Sequence, residues 1–132
     1  MSQENVEILK HSFEEAPENP EPFFAMFDEN VEWDMSGGPF PIQKKVYGPA
    51  AVREFFRAWA GTFDDWGFEA EEVIDAHPSV VVCIHQWGRG KGSGVPVENR
   101  FFQVWTFENG KVIRYRGFTD RTEALEAAGL RE

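Results

Sequence analysis

Cysteine is almost missing from this 132-residue chain: Cys83 stands alone, so no disulfide can form within it. With no Cys-His pattern around it, Cys83 reads as an inert core residue in an apolar run, and a reduced, cytoplasmic setting is expected. No apolar stretch approaches the roughly 20 residues of a membrane-spanning helix. The start, MSQENVEIL, has neither the basic residues nor the apolar run of an export signal, so no membrane partner is expected. Positive charge is scarce too. Lys and Arg number 13 against 23 for Asp and Glu, and a net charge of -10 repels phosphate backbones and anionic headgroups. Nucleic acid is therefore excluded as an expected partner. Histidine occurs three times, and no His or Cys pair has the spacing of metal ligands, so neither metal nor cofactor is expected. The run GRGKGSG at 88–94 departs from the phosphate-loop pattern and reads as a hairpin turn.

What the chain has in quantity is aromatic side chains, 15% of its residues, mostly Phe and Trp. Such a chain builds either a very aromatic core or an aromatic-lined pocket. The densest stretch is FFQVWTFENGKVIRYRGFTD, from Phe101 to Asp120, where two β-prone runs flank Asn109-Gly110. That dipeptide suits a type I′ hairpin turn, because both residues tolerate positive φ and the turn matches strand twist. Counting outward from Glu108 opposite Lys111, regular pairing predicts Trp105 opposite Arg114, Gln103 opposite Arg116 and Phe101 opposite Phe118, with Asp120 on the same face. Phe102, Val104, Thr106, Ile113 and Tyr115 then share the other face. Both faces carry apolar residues, so both need a cover: helices on one side and a second subunit on the other. The face with Gln103, Arg116 and Asp120 is the expected cavity wall, since buried polar groups must find partners.

The remaining elements follow from periodicity. Val6, Leu9, Phe13 and Ala16 recur at helical spacing up to Pro17, and Asn19-Pro20 opens a second helix that carries Phe23, Phe24 and Phe27 inward. NVEWDM alternates as a short strand with Trp33 and Asp34 on opposite faces, so Asp34 reaches a pocket only if the strand bends or ends there. The segment from Ser36 to Gly48 is long enough to fold over a cavity mouth as a lid. Pro49 to Ala60 is a helix with the stripe Val52, Phe55, Phe56 and Trp59, closed by Gly61. Strands are expected over 67–75, 80–89, 95–107 and 112–119, and a last helix runs from Asp120 to Ala128. This order gives one α+β domain over 1–132: a curved, mostly antiparallel sheet wrapped around N-terminal helices as a cone with an internal pocket.

NVEWD after two helices, YGPAAVREFF opening the third, GKGSGVPVE, VWTFENGKVIRYRGFTD and the final EALEAAGL together resemble the SnoaL-like branch of the nuclear-transport-factor-2-like superfamily, which has a cystatin-like cone fold. The resemblance implies a small homodimer with an aromatic-lined cavity in each cone, and a function among polyketide cyclases, ketosteroid isomerase, limonene epoxide hydrolase and proteins without an assigned activity. It places Asp120 where the cyclases carry a late Asp, with Gln103 where their His partner would be expected. Asp34 stands within a residue or so of the isomerase Asp, without that enzyme's Tyr and Asp oxyanion pair. Asp120, Arg116 and Asp34 imitate the hydrolase's Asp-Arg-Asp set, although its Arg-x-Asp spacing is absent, Arg100 being followed by Phe101 and Phe102.

Two functional expectations follow. In the first, the chain is a cofactor-free cyclase, isomerase or hydrolase acting on a small apolar or aromatic molecule. Asp120 and Asp34 move protons, and Arg116 and Gln103 hold developing negative charge. Trp33, Trp59, Trp105, Phe118, Phe101, Phe56 and His85 line the ligand site, the side of the sheet taken by His85 being left open by parity. In the second, the chain is a non-catalytic ligand-binding or scaffolding dimer, and Asp120 only caps the last helix.

Overall fold

Asn109 and Gly110 both adopt positive φ, 52° and 77°, and Glu108 pairs with Lys111 across them, which is the turn that the dipeptide predicts. The computed structural model describes residues 2–16, 18–35 and 45–130, apart from the side chains of Ser2, Gln3 and Trp59. Pro17 and most of the expected lid, residues 36–44, lie outside the described residues. In chain order the elements are α1 (Ser2–Glu15), α2 (Glu21–Ala25), β1 (Phe27–Asp34), β2 (Lys45–Tyr47), α3 (Pro49–Ala60), β3 (Phe63–Ala76), β4 (Ser79–Gly90), β5 (Pro96–Glu108), β6 (Lys111–Phe118) and α4 (Arg121–Ala127). The strands form one six-stranded sheet in the order β2-β1-β6-β5-β4-β3, antiparallel except where β1 runs parallel to β6. The fold class is therefore the expected α+β one, with a curved, mostly antiparallel sheet. Phe27 belongs to β1 rather than to the second helix, and β2 is an edge strand too short for periodicity to reveal.

The meander positions everything else. Val80, Val82 and Ile84 on β4 and Phe101 and Trp105 on β5 are buried on one face, against Leu9 of α1, Phe23 of α2 and Val52 of α3. This inner face is the main core. On the outer face, Val81 and Val104 are buried beneath Ala124 and Leu125 of α4, with Phe102 and Phe118 packed beside them. The chain thus supplies part of the second cover itself.

One residue changes the hairpin's far end. Phe107 pairs with Val112 but Thr106 pairs with Arg114, so Ile113 has no partner and forms a β-bulge. Beyond it Trp105 faces Tyr115, Gln103 faces Gly117 and Phe102 faces Phe118. The regular pairing of Trp105 with Arg114, Gln103 with Arg116 and Phe101 with Phe118 is therefore corrected by one residue, and a one-residue slip exchanges the faces. The physical reason lies in what each face buries. The bulge lets both Val112 and Tyr115, three residues apart, enter the core, where they are 0% and 1% exposed. It sends Arg114 and Arg116 to the outer face, in register with Glu32 and Asp34 of β1.

Candidate functional site: an aromatic cone with an amide wall

Between the inner face and the three N-terminal helices lies a cavity of about 340 Å³. Strand alternation sends Ile84 and Gln86 of β4, Phe101, Gln103 and Trp105 of β5, Tyr115 of β6 and Trp33 of β1 toward it, and α3 lays Phe55 and Phe56 against the same space. The rings fix one another. Trp33 stacks on Tyr115 with centroids 3.8 Å apart and planes 9° apart, while Trp105 meets Tyr115 edge-on at 4.9 Å. Phe56 closes on Trp33 at 5.2 Å, also edge-to-face. Offset and edge-on pairs of this kind add about 0.5–1.5 kcal/mol each beyond burial and hold flat walls in place.

The polar groups among these rings are few and, apart from two arginines at the mouth, uncharged. Gln103 Oε1 accepts from the Trp105 indole Nε1 at 3.0 Å, and Gln103 is also hydrogen-bonded to the Tyr115 hydroxyl. Burial pushes the pKa of that hydroxyl well above the ordinary tyrosine value, against a smaller opposing pull from the Gln103 hydrogen bond. Gln86 is 3% exposed, and neither Oε1 nor Nε2 of its amide has a hydrogen-bond partner among the described residues. The Trp33 indole N–H is likewise buried without an acceptor. At the mouth, Arg53 forks onto Glu21 at 3.0 and 3.1 Å and lies 4.3 Å over the Phe24 ring, and Arg57 is held by Glu54 at 2.6 Å. The Arg53 hydrogen bonds hold the Glu21 carboxyl below the usual carboxylate range. Both rim arginines are thus matched by carboxylates. No Asp, Glu or His lines the cavity among the described residues.

The expected catalytic set is not brought together. Gln103 faces the cavity, but Arg116 points to the opposite side of the sheet, where Nη2 donates to the Ala127 carbonyl at 3.0 Å. Burial first, then the neighbouring Arg114, lowers the Arg116 pKa, while Asp34 and Glu32 oppose the shift. Asp34 stands in register with Arg116 on β1, is 9% exposed, and has Lys45 Nζ at 3.9 Å. Asp120 is exposed and caps α4, its Oδ1 accepting from Thr122 N at 3.2 Å. The expectation that Asp120, Asp34 and Arg116 look into one hollow with Gln103 is corrected by the Ile113 bulge and by the alternation of β1.

Among the expected ligand contacts, Trp33, Phe56, Phe101 and Trp105 line the cavity, and the Trp59 side chain lies outside the described residues. Phe118 and His85 do not line it. Phe118 packs under α4, and His85 is on the outer face, its Nε2 2.6 Å from Glu98 Oε2 and its Nδ1 3.5 Å from Glu69 Oε1. There Glu69, Glu71 and His85 bring three metal-capable atoms within 4.8 Å of one another, each already paired with a neighbour. Cys83 also lies on this face, half-buried rather than in the core, with its thiol pKa raised by burial and by Glu71 and Glu72. Gln86, Tyr115, Trp66 and Phe68 are among the cavity residues that reading the sequence missed. The signal for Gln86 was present: it continues the alternate row Val80, Val82, Ile84 and ends that apolar row with an amide.

Comparison with known proteins places this geometry. An NTF2-like protein from Burkholderia thailandensis superposes with a TM-score of 0.78 at 23% identity, over 95% of this chain and 96% of that one. TerC, co-crystallized with polyporic acid, gives 0.74 at 20% identity over 96% and 98%. A protein with a ketosteroid isomerase-like fold from Catenulispora acidiphila, in complex with trimethylamine, gives 0.73 at 13% identity over 94% and 93%. No curated protein matches the chain. With residues 14–115 matching the family profile and the cone geometry in agreement, the chain belongs to the SnoaL-like domain family.

Proposed function

We propose that this chain is a small-molecule-binding SnoaL-like protein whose cone takes a neutral, flat, largely apolar ligand, without acid-base catalysis by a carboxylate. The observation that carries this reading is the cavity lining: three indoles, a phenol and several phenyl rings surround two uncharged amides, with two carboxylate-paired arginines at the mouth and no carboxylate or imidazole among the described lining residues. A volume of about 340 Å³ lies in the range of small-molecule sites, roughly 300–1,000 Å³. Placing an unpaired charge in such a wall costs several kcal/mol, so neutral ligands are favoured. That TerC, a protein of the same fold, was co-crystallized with polyporic acid supports an organic small molecule as the ligand. Within the same proposal, a second copy of the chain covers the outer face that α4 leaves open, where Trp87 is 40% exposed beside His85 and its acidic neighbours.

Titration with acridone, a neutral flat tricycle, tests the reading. Saturable one-to-one quenching of tryptophan fluorescence is expected, because Trp33 and Trp105 form the cavity wall. Ile84→Trp fills the cavity from β4 and should abolish that binding while circular dichroism stays unchanged. Absence of quenching in the wild type, or unaltered binding by a folded Ile84→Trp variant, defeats the proposal.

A further inference from the structure

Gln86 has no structural task that its surroundings explain. It ends the inner row of β4, across from Phe68 of β3 and Asn99 of β5, and the inner neighbours that precede it are Val80, Val82 and Ile84. An amide buried in such a place normally finds partners, because leaving a donor and an acceptor unmatched costs free energy that an apolar residue of the same size would not. Yet neither Nε2 nor Oε1 is matched among the described residues, and the side chain lines the cavity. Gln103, the other cavity amide, is already engaged by Trp105 and Tyr115 and carries no comparable demand.

We infer that Gln86 is the specificity-determining residue of the cone, and that it selects flat neutral ligands carrying a hydrogen-bond donor and an acceptor on adjacent atoms, as in a lactam. The inference rests on the binding reading above and deepens it. A carboxamide presents N–H and C=O side by side on one planar group. A lactam edge offers the complementary pair in the same plane, so two parallel hydrogen bonds form at once. Burial of both partners makes the match discriminating, since a ligand lacking the edge leaves the amide as unsatisfied as before. Cavity walls built from stacked rings hold the ligand plane, and Gln86 fixes its rotation within that plane.

The test compares phenanthridinone with acridone by calorimetry. The two compounds are isomers of the same flat tricyclic size, but N–H and C=O are adjacent in phenanthridinone and on opposite edges in acridone. The wild type is expected to bind phenanthridinone at least about tenfold more tightly, the order expected for satisfying a buried amide. N-methyl-phenanthridinone, which keeps the carbonyl and loses the donor, should fall to the acridone level. Gln86→Met, close in volume and without the amide, should bring the ratio of the two affinities near one. Equal affinities in the wild type overturn the inference while leaving the binding reading in place. A ratio that survives in Gln86→Met removes Gln86 as its source, and failure of both tricycles to bind removes the underlying reading. The wild-type comparison decides the ligand class even if the variant is unstable.

Discussion

Asp120 shows how one side chain supports two accounts until its neighbours are known. A carboxylate at the end of a strand, just before Arg-Thr-Glu-Ala-Leu, fits both a proton carrier and a helix cap, and its hydrogen bond to Thr122 N with an exposed position fits the cap. Asp120→Ala should then destabilise the protein by about 1 kcal/mol, seen as a lower denaturation midpoint, and Asp120→Asn by less, with ligand affinity unchanged in both. Loss of binding or of any activity in Asp120→Asn at unchanged stability would return it to the site. The cavity makes a companion prediction about pH. Its ionisable lining groups among the described residues are Tyr115 and the rim arginines, and burial raises the Tyr115 pKa, so its neutral form persists above the ordinary tyrosine value near 10. Affinity should be flat from about pH 5 to pH 9 in a calorimetric series. A profile turning near pH 4 or near pH 6.5 would instead point to a carboxylate or a histidine in the site.

The hairpin β5-β6 is where sequence reasoning reached furthest and then failed. Its turn, its tip pairing and the inward course of Phe101, Gln103 and Trp105 follow from local chemistry: Asn109 and Gly110 accept positive φ, and side chains alternate along a strand. The bulge at Ile113 was not legible from the turn, because it answers a demand made elsewhere, by Trp33 for a stacking partner and by Glu32 and Asp34 for arginines. A warning was present in the regular pairing itself, which put both Arg114 and Arg116 on the face assigned to the cavity. Tyr115→Ala removes the ring stacked on Trp33 and should cost about 3–5 kcal/mol, measured by denaturant unfolding. A cost below about 1 kcal/mol would mean that the bulge does not serve the core. At the other end of the same sheet, Arg121 forks onto Glu72 at 2.5 and 3.2 Å and ties the start of α4 to β3. That hydrogen bond depresses the Glu72 pKa, so its stabilising share is present above the unfolded carboxylate value and is lost as pH falls through the lower folded one. Amide exchange in α4 should therefore quicken modestly below about pH 4, the pair being solvent-exposed and screened. Unchanged protection of α4 down to full protonation would show that the pair contributes nothing.

At the scale of the whole molecule, the sheet separates two chemistries. Its inner face is aromatic with neutral amides, and its outer face collects the ion pairs of Glu32 with Arg114, Glu71 with Arg100 and Glu72 with Arg121. Element order and aromatic content made the cone legible in the sequence. That the expected carboxylates stay out of it was decided by strand register, a long-range property that no local motif encodes. In solution, light scattering should give twice the chain mass at micromolar concentration if the uncovered outer face meets its own copy, and a monomer mass would remove that part of the proposal. The central claim, that the inner face and not the outer one receives the ligand, is tested most directly by following side-chain and backbone N–H resonances during an NMR titration with phenanthridinone. The account predicts that the Gln86 amide and the Trp33 and Trp105 indole signals shift to saturation while Thr122 N–H and the Trp87 indole stay fixed. Shifts concentrated at Thr122 and Trp87, with the Gln86 and Trp33 signals unmoved, would contradict it.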